Sequence, residues 1–415
     1  MAKFTGHTIT SDSALGAAKI QRSLRFNSED TAYLNRTPSS ASNRKTWTWS
    51  SWVKRDQASA GTNRYMFMAG QTDGNDNVAH ISFDNNDRFR FYGISGSFDF
   101  KIRTNNVYRD TTAWYHVMVA FDTTQATASN RIKLYVNGVQ ITDSLGQSDY
   151  PSQNHDSYFN NNVLHNIGRY NSGSTQWFEG YMAEINFIDG YAYDSSYFGF
   201  TDPQTGIWMP KRYEGTYGNN GFYLDFSDNS SITNMMIDKS PNGNDWSPDN
   251  CNTEDSMLDT PSNNFCVLRP YAKPVAGASL SEGNLKFSTG STGDGGNLNR
   301  ACMNTMIPSS GKWYMEVHAS SGNYAFIGVH PFQIELTQGQ QQSRWMGLYN
   351  YNGDKYVAKA SSSASSSTYA SSYGADIIGI FMDMDASTPV VYFSKNGQWA
   401  NGSGSWNQSN PYTSG

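Results

Sequence analysis

Apolar and polar positions alternate with a period of two along much of this chain, in short runs divided by turn residues. Thr46-Trp-Thr-Trp-Ser-Ser-Trp-Val-Lys is one such run. It brings Trp47, Trp49 and then Trp52-Val53 near one another, as a half-buried strand does. Residues 111–141 carry the clearest signal. Trp114 to Asp122 (Trp-Tyr-His-Val-Met-Val-Ala-Phe-Asp) reads as a strand, and Arg131-Ile-Lys-Leu-Tyr-Val-Asn-Gly-Val-Gln-Ile reads as a hairpin turning at Asn137-Gly138. The pattern returns in Asp376-Ile-Ile-Gly-Ile-Phe-Met-Asp and Val390-Val-Tyr-Phe-Ser-Lys-Asn396-Gly397. Further short strands are predicted at Tyr65-Met-Phe-Met-Ala, Ala79-His-Ile-Ser-Phe, Arg88-Phe-Arg-Phe-Tyr, Phe178 to Asp189 and Lys312-Trp-Tyr-Met-Glu-Val. No amphipathic helix longer than a turn or two stands out. The pattern predicts an all-β chain of two antiparallel β-sandwich (jelly-roll) modules in tandem.

The boundaries follow changes in pattern. Residues 1–20 are polar and read as an N-terminal arm, and residues 21–200 read as the first sandwich. Residues 201–270 keep aromatics through their turns, as in Gly206-Ile-Trp-Met-Pro-Lys, which predicts an ordered connector; a flexible linker would lack them. Residues 271–415 form the second module, with a low-complexity loop at 360–368. Only Ala400 to Gly415 follow its Asn-Gly hairpin. That leaves an incomplete module, a fragment, or strands supplied by another protein, and a sheet edge open to pairing.

At 415 residues there is length for two separate cores. Aromatics at 14% against charges at 16% suit a surface that binds by stacking and hydrogen bonding. The net charge of −6, with no basic cluster, argues against nucleic-acid binding. No run approaches the length of a membrane span, and Met1-Ala-Lys-Phe-Thr-Gly-His-Thr-Ile-Thr lacks the apolar core of a signal peptide. Cys251, Cys266 and Cys302 are too few for a disulfide framework and read as free thiols, with a Cys251–Cys266 pair as the alternative.

Four blocks occur in order in the first module: Trp114 to Asp122, Leu134-Tyr-Val-Asn-Gly-Val, Ile167-Gly-Arg, and Phe178-Glu-Gly-Tyr-Met-Ala-Glu-Ile. On these residues it resembles the laminin-G-like branch of the concanavalin-A-like lectin and glucanase fold. Through Gly311-Lys-Trp-Tyr-Met-Glu-Val, Ile327-Gly-Val, Asp376 to Asp383 and Tyr392-Phe-Ser-Lys-Asn-Gly, the second module looks like a SPRY domain. The pairing, with Gly221-Phe-Tyr-Leu-Asp-Phe and Asp259-Thr-Pro-Ser-Asn-Asn-Phe between the modules, is similar to virion proteins of tailed phages, marine phages first. The resemblance implies a protein made in the host cytoplasm and carried on the virion surface.

The laminin-G-like fold also houses glycoside hydrolases, which need two carboxylates flanking a cleft. Glu184 and Asp189 stand five apart on one strand and are expected on opposite faces, so no catalytic residue is assigned and no enzyme is expected. Asp73, Asn75 and Asn77 faintly match an oxygen-rich calcium loop, but the glycine and glutamate of that motif are missing. A plain turn is favoured there. Calcium is the one cofactor left open, with Asp122 and Asp143 as further rim ligands of low weight. His116 reads as a structural histidine. No Gly-x-Ser-x-Gly and no phosphate-binding glycine loop is present.

Aromatics on loops are the better functional candidates, because sugar rings stack their C–H faces on Trp and Tyr while amides and arginines bond the hydroxyls. Tyr170, Asn171, Gln176, Trp177, Tyr191, Tyr193 and Tyr197 are expected to cluster in and after the loop at 169–180. Arg344, Tyr349, Tyr351 and Asn352 are expected to form a similar loop set in the second module. The sequence therefore predicts a non-catalytic tail-fibre or receptor-binding protein that recognises host-surface glycan or protein. It would assemble as a homo-oligomer and dock on other virion proteins through Met1–Lys19. A capsid or tail decoration protein is the alternative, and a polysaccharide-degrading enzyme the third reading.

Overall fold

The computed structural model describes residues 17–56, 61–71, 77–170, 176–268, 279–288, 309–319, 326–329, 346–351, 354–357, 374–400 and 406–408. Within them the chain is almost entirely antiparallel β-structure; the single α-helical turn is Ile232–Met235. It divides into two compact units, one of residues 3–270 with the hairpin 279–288, the other of residues 271–278 and 289–415.

The first unit is a sandwich of two eight-stranded sheets. The first sheet runs Val139–Gln140, Ile132–Val136, Trp114–Asp122, Thr46–Arg55, Gly180–Asp189, Ser23–Phe26, Ser256–Met257, with Phe222–Leu224 also pairing to Gly180–Asp189. The second runs Leu145–Asp149, Ser97–Val107, Arg88–Ser95, Asn77–Phe83, Arg64–Gln71, His165–Ile167, Tyr33–Arg36, Ser247–Asp249. Alternation along these strands sends one side chain in two into the space between the sheets. There Trp47, Trp49, Phe67, Phe91, Phe121, Phe159 and Phe187 form a fully buried aromatic core. Trp47 stacks on Phe121 at 4.9 Å with rings 15° apart, a contact worth ~0.5–1.5 kcal/mol beyond the area it buries. The Asn137-Gly138 turn forms as the sequence predicts, with both residues at positive φ (47° and 82°).

Residues 201–268 do not merely connect. Three of the strands named above, Phe222–Leu224, Ser247–Asp249 and Ser256–Met257, come from this stretch and complete both sheets. The hairpin 279–288 also belongs here: Tyr181 Oη donates to the Gly283 carbonyl at 2.6 Å, and Arg25 pairs with Glu282 at 2.9 Å. The predicted arm is shorter than expected at its inner end. Ala17, Ala18 and Ile20 are buried, and the Ala18 amide donates to the Pro210 carbonyl at 2.9 Å, because these small and apolar side chains fill the sandwich flank. Residues 1–16 lie outside the described residues.

The second unit holds a five-stranded sheet, Lys312–Ala319, Asp376–Asp383, Val390–Lys395, Gln398–Ala400, Trp406–Gln408, and a three-stranded one, Phe326–Val329, Met346–Tyr351, Asp354–Val357. Ala319, Ile327, Ile378, Ile380 and Phe393 form its core. Residues 406–408 add one strand beyond the Asn396-Gly397 hairpin. Cys251 and Cys266 are free thiols, so the alternative pairing is not made; Cys302 lies outside the described residues.

Candidate functional site

The outer face of the first sheet is itself covered. Residues 190–223 fold back over it, and Met118, Ala120, Tyr135, Ile188, Phe198 and Tyr217 make a second small core there. Thr48, on the central strand, pins the start of this cover: its Oγ1 donates to the Tyr191 carbonyl at 2.7 Å and accepts from the Tyr193 amide at 2.9 Å. Ser195 Oγ donates to the Gly138 carbonyl at 2.6 Å, and Asp194 accepts from the Ser196 amide at 2.9 Å to cap the following turn. Three of these bonds tie the segment 191–198 to the first sheet and its Asn137-Gly138 turn, and the fourth is internal to it.

On that backbone the tyrosines pile up. Tyr191 stacks on Tyr193 at 5.5 Å with rings 8° apart, and Tyr193 lies 4.1 Å from Tyr197 and 5.7 Å from Tyr213. Tyr213 is anchored by stacking on Phe198 at 5.4 Å. Burial and then the neighbouring hydroxyl of Tyr193 push the Tyr213 phenol well above its ordinary range. The outer members stay open, Tyr191 at 46% and Tyr197 at 43% exposure. Asp194, Ser196 and Lys211 flank them with exposed polar groups. Such an array offers apolar ring faces with hydroxyls and charges at the rim, the requirement for holding a hydroxylated ring.

Tyr170 and Trp177, expected in the same cluster, lie elsewhere. Tyr170 packs on the outer face of the second sheet, 4.5 Å from Tyr65 and 5.8 Å from His80, and is 6% exposed. Trp177 is 5% exposed, 5.9 Å from Tyr33, with the Arg169 guanidinium 4.7 Å from both rings. The expected single cluster is therefore two, on opposite outer faces of the sandwich, because the chain between them runs the length of the first sheet as the strand Gly180–Asp189 before 190–223 folds back over its outer face. Gln176 is half-buried, with its carboxamide oxygen lacking a hydrogen-bond partner. Asn171 lies outside the described residues.

In the second unit Tyr349 and Tyr351 stand within the strand Met346–Tyr351, opposite Tyr356 and Asp354; a strand takes the place of the expected loop. Arg344 and Asn352 lie outside the described residues. Of the calcium candidates, Asp73 and Asn75 do too, and Asn77 begins a strand, its Oδ1 accepting from Tyr158 Oη at 3.2 Å. Asp122 accepts from Thr124 and Gln125 in its own turn. Among the described residues no group of three acids, histidines or cysteines is placed to hold a metal.

Glu184 and Asp189 serve different ends. Asp189 is buried and accepts from the amides of Asn43, Asn219 and Asn220 and from Asn160 Nδ2. Glu184 sits in a bulge at φ 51°, where pairing with Thr46–Arg55 shifts register, and accepts from Tyr223 Oη at 2.7 Å. Burial pushes its carboxyl up to about 7 against that bond. His116 is buried, bonded to Ser50 Oγ at 2.8 Å, and burial holds it down to about 3. Thr48 and Tyr213 carry no motif in the sequence. Nothing local marks them; the fold-back of 190–223 alone gives them a role.

Residues 27–192 match the concanavalin A-like lectin/glucanases superfamily (Laminin_G_3). No curated protein matches the chain. Among solved structures, a candidate carbohydrate-binding protein from Bacteroides ovatus ATCC 8483 is similar at 17% identity and a TM-score of 0.35, over 56% of this chain and 60% of that one. Domain 4 of AbnA, an extracellular GH43 arabinanase from Geobacillus stearothermophilus, solved with arabinotriose, is similar at 20% identity and 0.30, over 41% and 72%. The enzymatically active domain of tailspike protein 2 from bacteriophage CBA120 is similar at 10% and 0.28, over 40% and 25%. These scores are too low to carry an argument about what this chain binds.

Proposed function

We propose that the chain is a non-catalytic surface protein of a tailed-phage particle that recognises a host-surface glycan, with the Tyr191–Tyr193–Tyr197 stack as its contact. One observation carries the reading: two exposed tyrosines flank a stack whose backbone is bonded to the central strand through Thr48. A preorganised aromatic face loses little entropy on binding, and weak single contacts are strengthened by many copies on one particle. The match of 27–192 to a lectin-type superfamily supports the sugar, and the motifs by which the sequence resembles tailed-phage virion proteins are the ground for the particle. The separate structural duties of Glu184 and Asp189 support a role without hydrolysis.

The test is retention of the purified chain on whole bacterial cells and on their extracted polysaccharides. The parent is expected to bind saturably, and Tyr191→Ala with Tyr197→Ala to lose binding while keeping its unfolding midpoint. Equal retention of parent and variant would reject the stack as the contact. If the variant instead binds normally but destabilises assembled particles, the decoration reading takes its place.

A further inference from the structure

We infer that the outer face of the five-stranded sheet in the second unit is a separate saccharide-binding surface for a neutral, hydroxyl-rich polymer. Ala319, Ile378, Ile380 and Phe393 point to the core, with Met315, Val317, Met382 and Val391 beside them. Alternation therefore puts Tyr314, Glu316, Ile377, Gly379, Phe381, Tyr392 and Ser394 on the opposite face. Pairing sets Tyr314, Phe381 and Tyr392 in one row across three strands. Phe381 lies 6.0 Å from Tyr392 and 6.3 Å from Trp399.

The position of Tyr314 is the telling detail. A Cβ placed on Gly379 would come 2.3 Å from Ser394 Oγ, 2.7 Å from Tyr314 Oη and 3.0 Å from Tyr314 Cε2. The hydroxyl edge of the ring thus reaches over the glycine of the neighbouring strand, and the residue remains 53% exposed. A side chain at 379 would displace that edge of the ring together with the Ser394 hydroxyl. A half-exposed ring in a row of aromatics two strand spacings long, ~10 Å, offers the footprint of a disaccharide. A hydroxyl-binding group is at hand in the exposed Glu316 carboxylate, whose Oε1 accepts from Tyr314 Oη at 2.8 Å, while Ser394 is buried beside Gly379.

Charge selects the polymer. Lys312, two residues along the strand from Tyr314, is paired with Asp383 at 3.3 Å. The carboxylate of Glu316 stands next to the rings, so a polyanion would be repelled while a sugar hydroxyl would find an acceptor. This site lies on a different unit from the tyrosine stack and extends the glycan-binding reading to a second contact on the same chain, with the gain in avidity that linked sites give.

The experiment uses the full chain on immobilised neutral glucan, mannan and galactan, with polygalacturonate as the acidic control. Tyr314→Ala is expected to weaken binding to one neutral polymer about tenfold, typical of a buried aromatic anchor, and Tyr314→Phe to restore it. Gly379→Val should act like Tyr314→Ala, provided near-ultraviolet circular dichroism shows an intact fold. The same series is run in the Tyr191→Ala, Tyr197→Ala background. Loss there on adding Tyr314→Ala supports the second site whatever becomes of the first. Equal retention of Tyr314→Ala and its parent overturns it, as does stronger binding to polygalacturonate. A fall in sedimentation coefficient on Tyr314→Ala also overturns it, by marking the face as a contact between copies.

Discussion

Asp259→Ala is expected to destabilise the first unit by ~3–5 kcal/mol, the usual cost of breaking a buried ion pair from one side. The Lys54 side chain is 0% exposed and its partner Asp259 4%. Lys54 Nζ donates to Asp259 Oδ2 at 2.7 Å, Asn264 Oδ1 at 2.8 Å and the Phe265 carbonyl at 2.9 Å. Asp259 Oδ1 accepts from Trp114 Nε1 at 2.9 Å and the Phe265 amide at 3.2 Å. Burial pulls the lysine below its ordinary pKa, and Asp259 is the main pull the other way. Without the carboxylate, an ammonium remains in an apolar setting with two neutral acceptors, and the Trp114 donor loses its partner, itself a cost of ~1–3 kcal/mol. Lys54→Met keeps most of the packed stem and removes the charge. The double variant should then recover part of the loss, with a coupling of about 2 kcal/mol, inside the range for directly bonded groups. Urea unfolding followed by tryptophan fluorescence measures all four proteins, with an unchanged slope showing that the same surface is exposed. A cost below ~1 kcal/mol for Asp259→Ala, or single costs that simply add, would refute the argument.

Glu184 should make the first unit less stable in alkali: its folded carboxyl, near 7, exceeds its ordinary 4.5, so its contribution is full below 4.5 and fades as pH rises through 7. Glu184→Gln, which can still accept from Tyr223, is expected to gain up to about 3 kcal/mol on the parent at pH 8 and little at pH 4; an equal difference at both would sink the idea. His116 and His165 work in the opposite direction, since burial holds them to about 3 and about 4. Their contribution is present above 6.5 and lost as pH falls through those values, so His116→Gln should remove ~1.4 kcal/mol per pH unit of slope below 6.5 relative to the parent; parallel slopes for the two proteins between pH 6 and 4.5 would contradict this. Gly138→Ala is expected to cost more than Gly243→Ala. Both glycines have positive φ, but a Cβ at 138 runs into the Trp208 ring while none at 243 meets anything within 4 Å. The exposed site should lose ~1–2 kcal/mol, the left-handed backbone cost alone, and equal losses in thermal unfolding would show that Trp208 simply yields.

Strand identity was legible because the signals are local. Trp114–Asp122, Asp376–Asp383 and Val390–Lys395 have the ends their alternation predicts, and both Asn-Gly turns form at positive φ. What a strand pairs with is a long-range matter. Ser247–Asp249 pairs with Tyr33–Arg36, and Ser256–Met257 with Ser23–Phe26, more than 200 positions away. Such short strands have too few residues to show a period, so the stretch that completes the sandwich reads as a connector.

The site was half legible for a related reason. A period of two tells which face of a strand a residue takes, but not whether that face meets water. Every second residue of Thr46–Arg55 should face outward, yet all but Thr46 are buried, because 190–223 and the segment around 259–265 lie over that side. The same covering decides which aromatics can bind. Tyr170 and Trp177 are spent on packing against Tyr65, His80 and Tyr33. Tyr191 and Tyr197, on the covering layer itself, stay 46% and 43% exposed. In a sandwich with covered sheets, exposed aromatics should therefore be sought on the outermost chain segment. Tyr314 is an exception, exposed on a sheet strand, where a glycine on the next strand is the sequence mark of the room its hydroxyl edge takes.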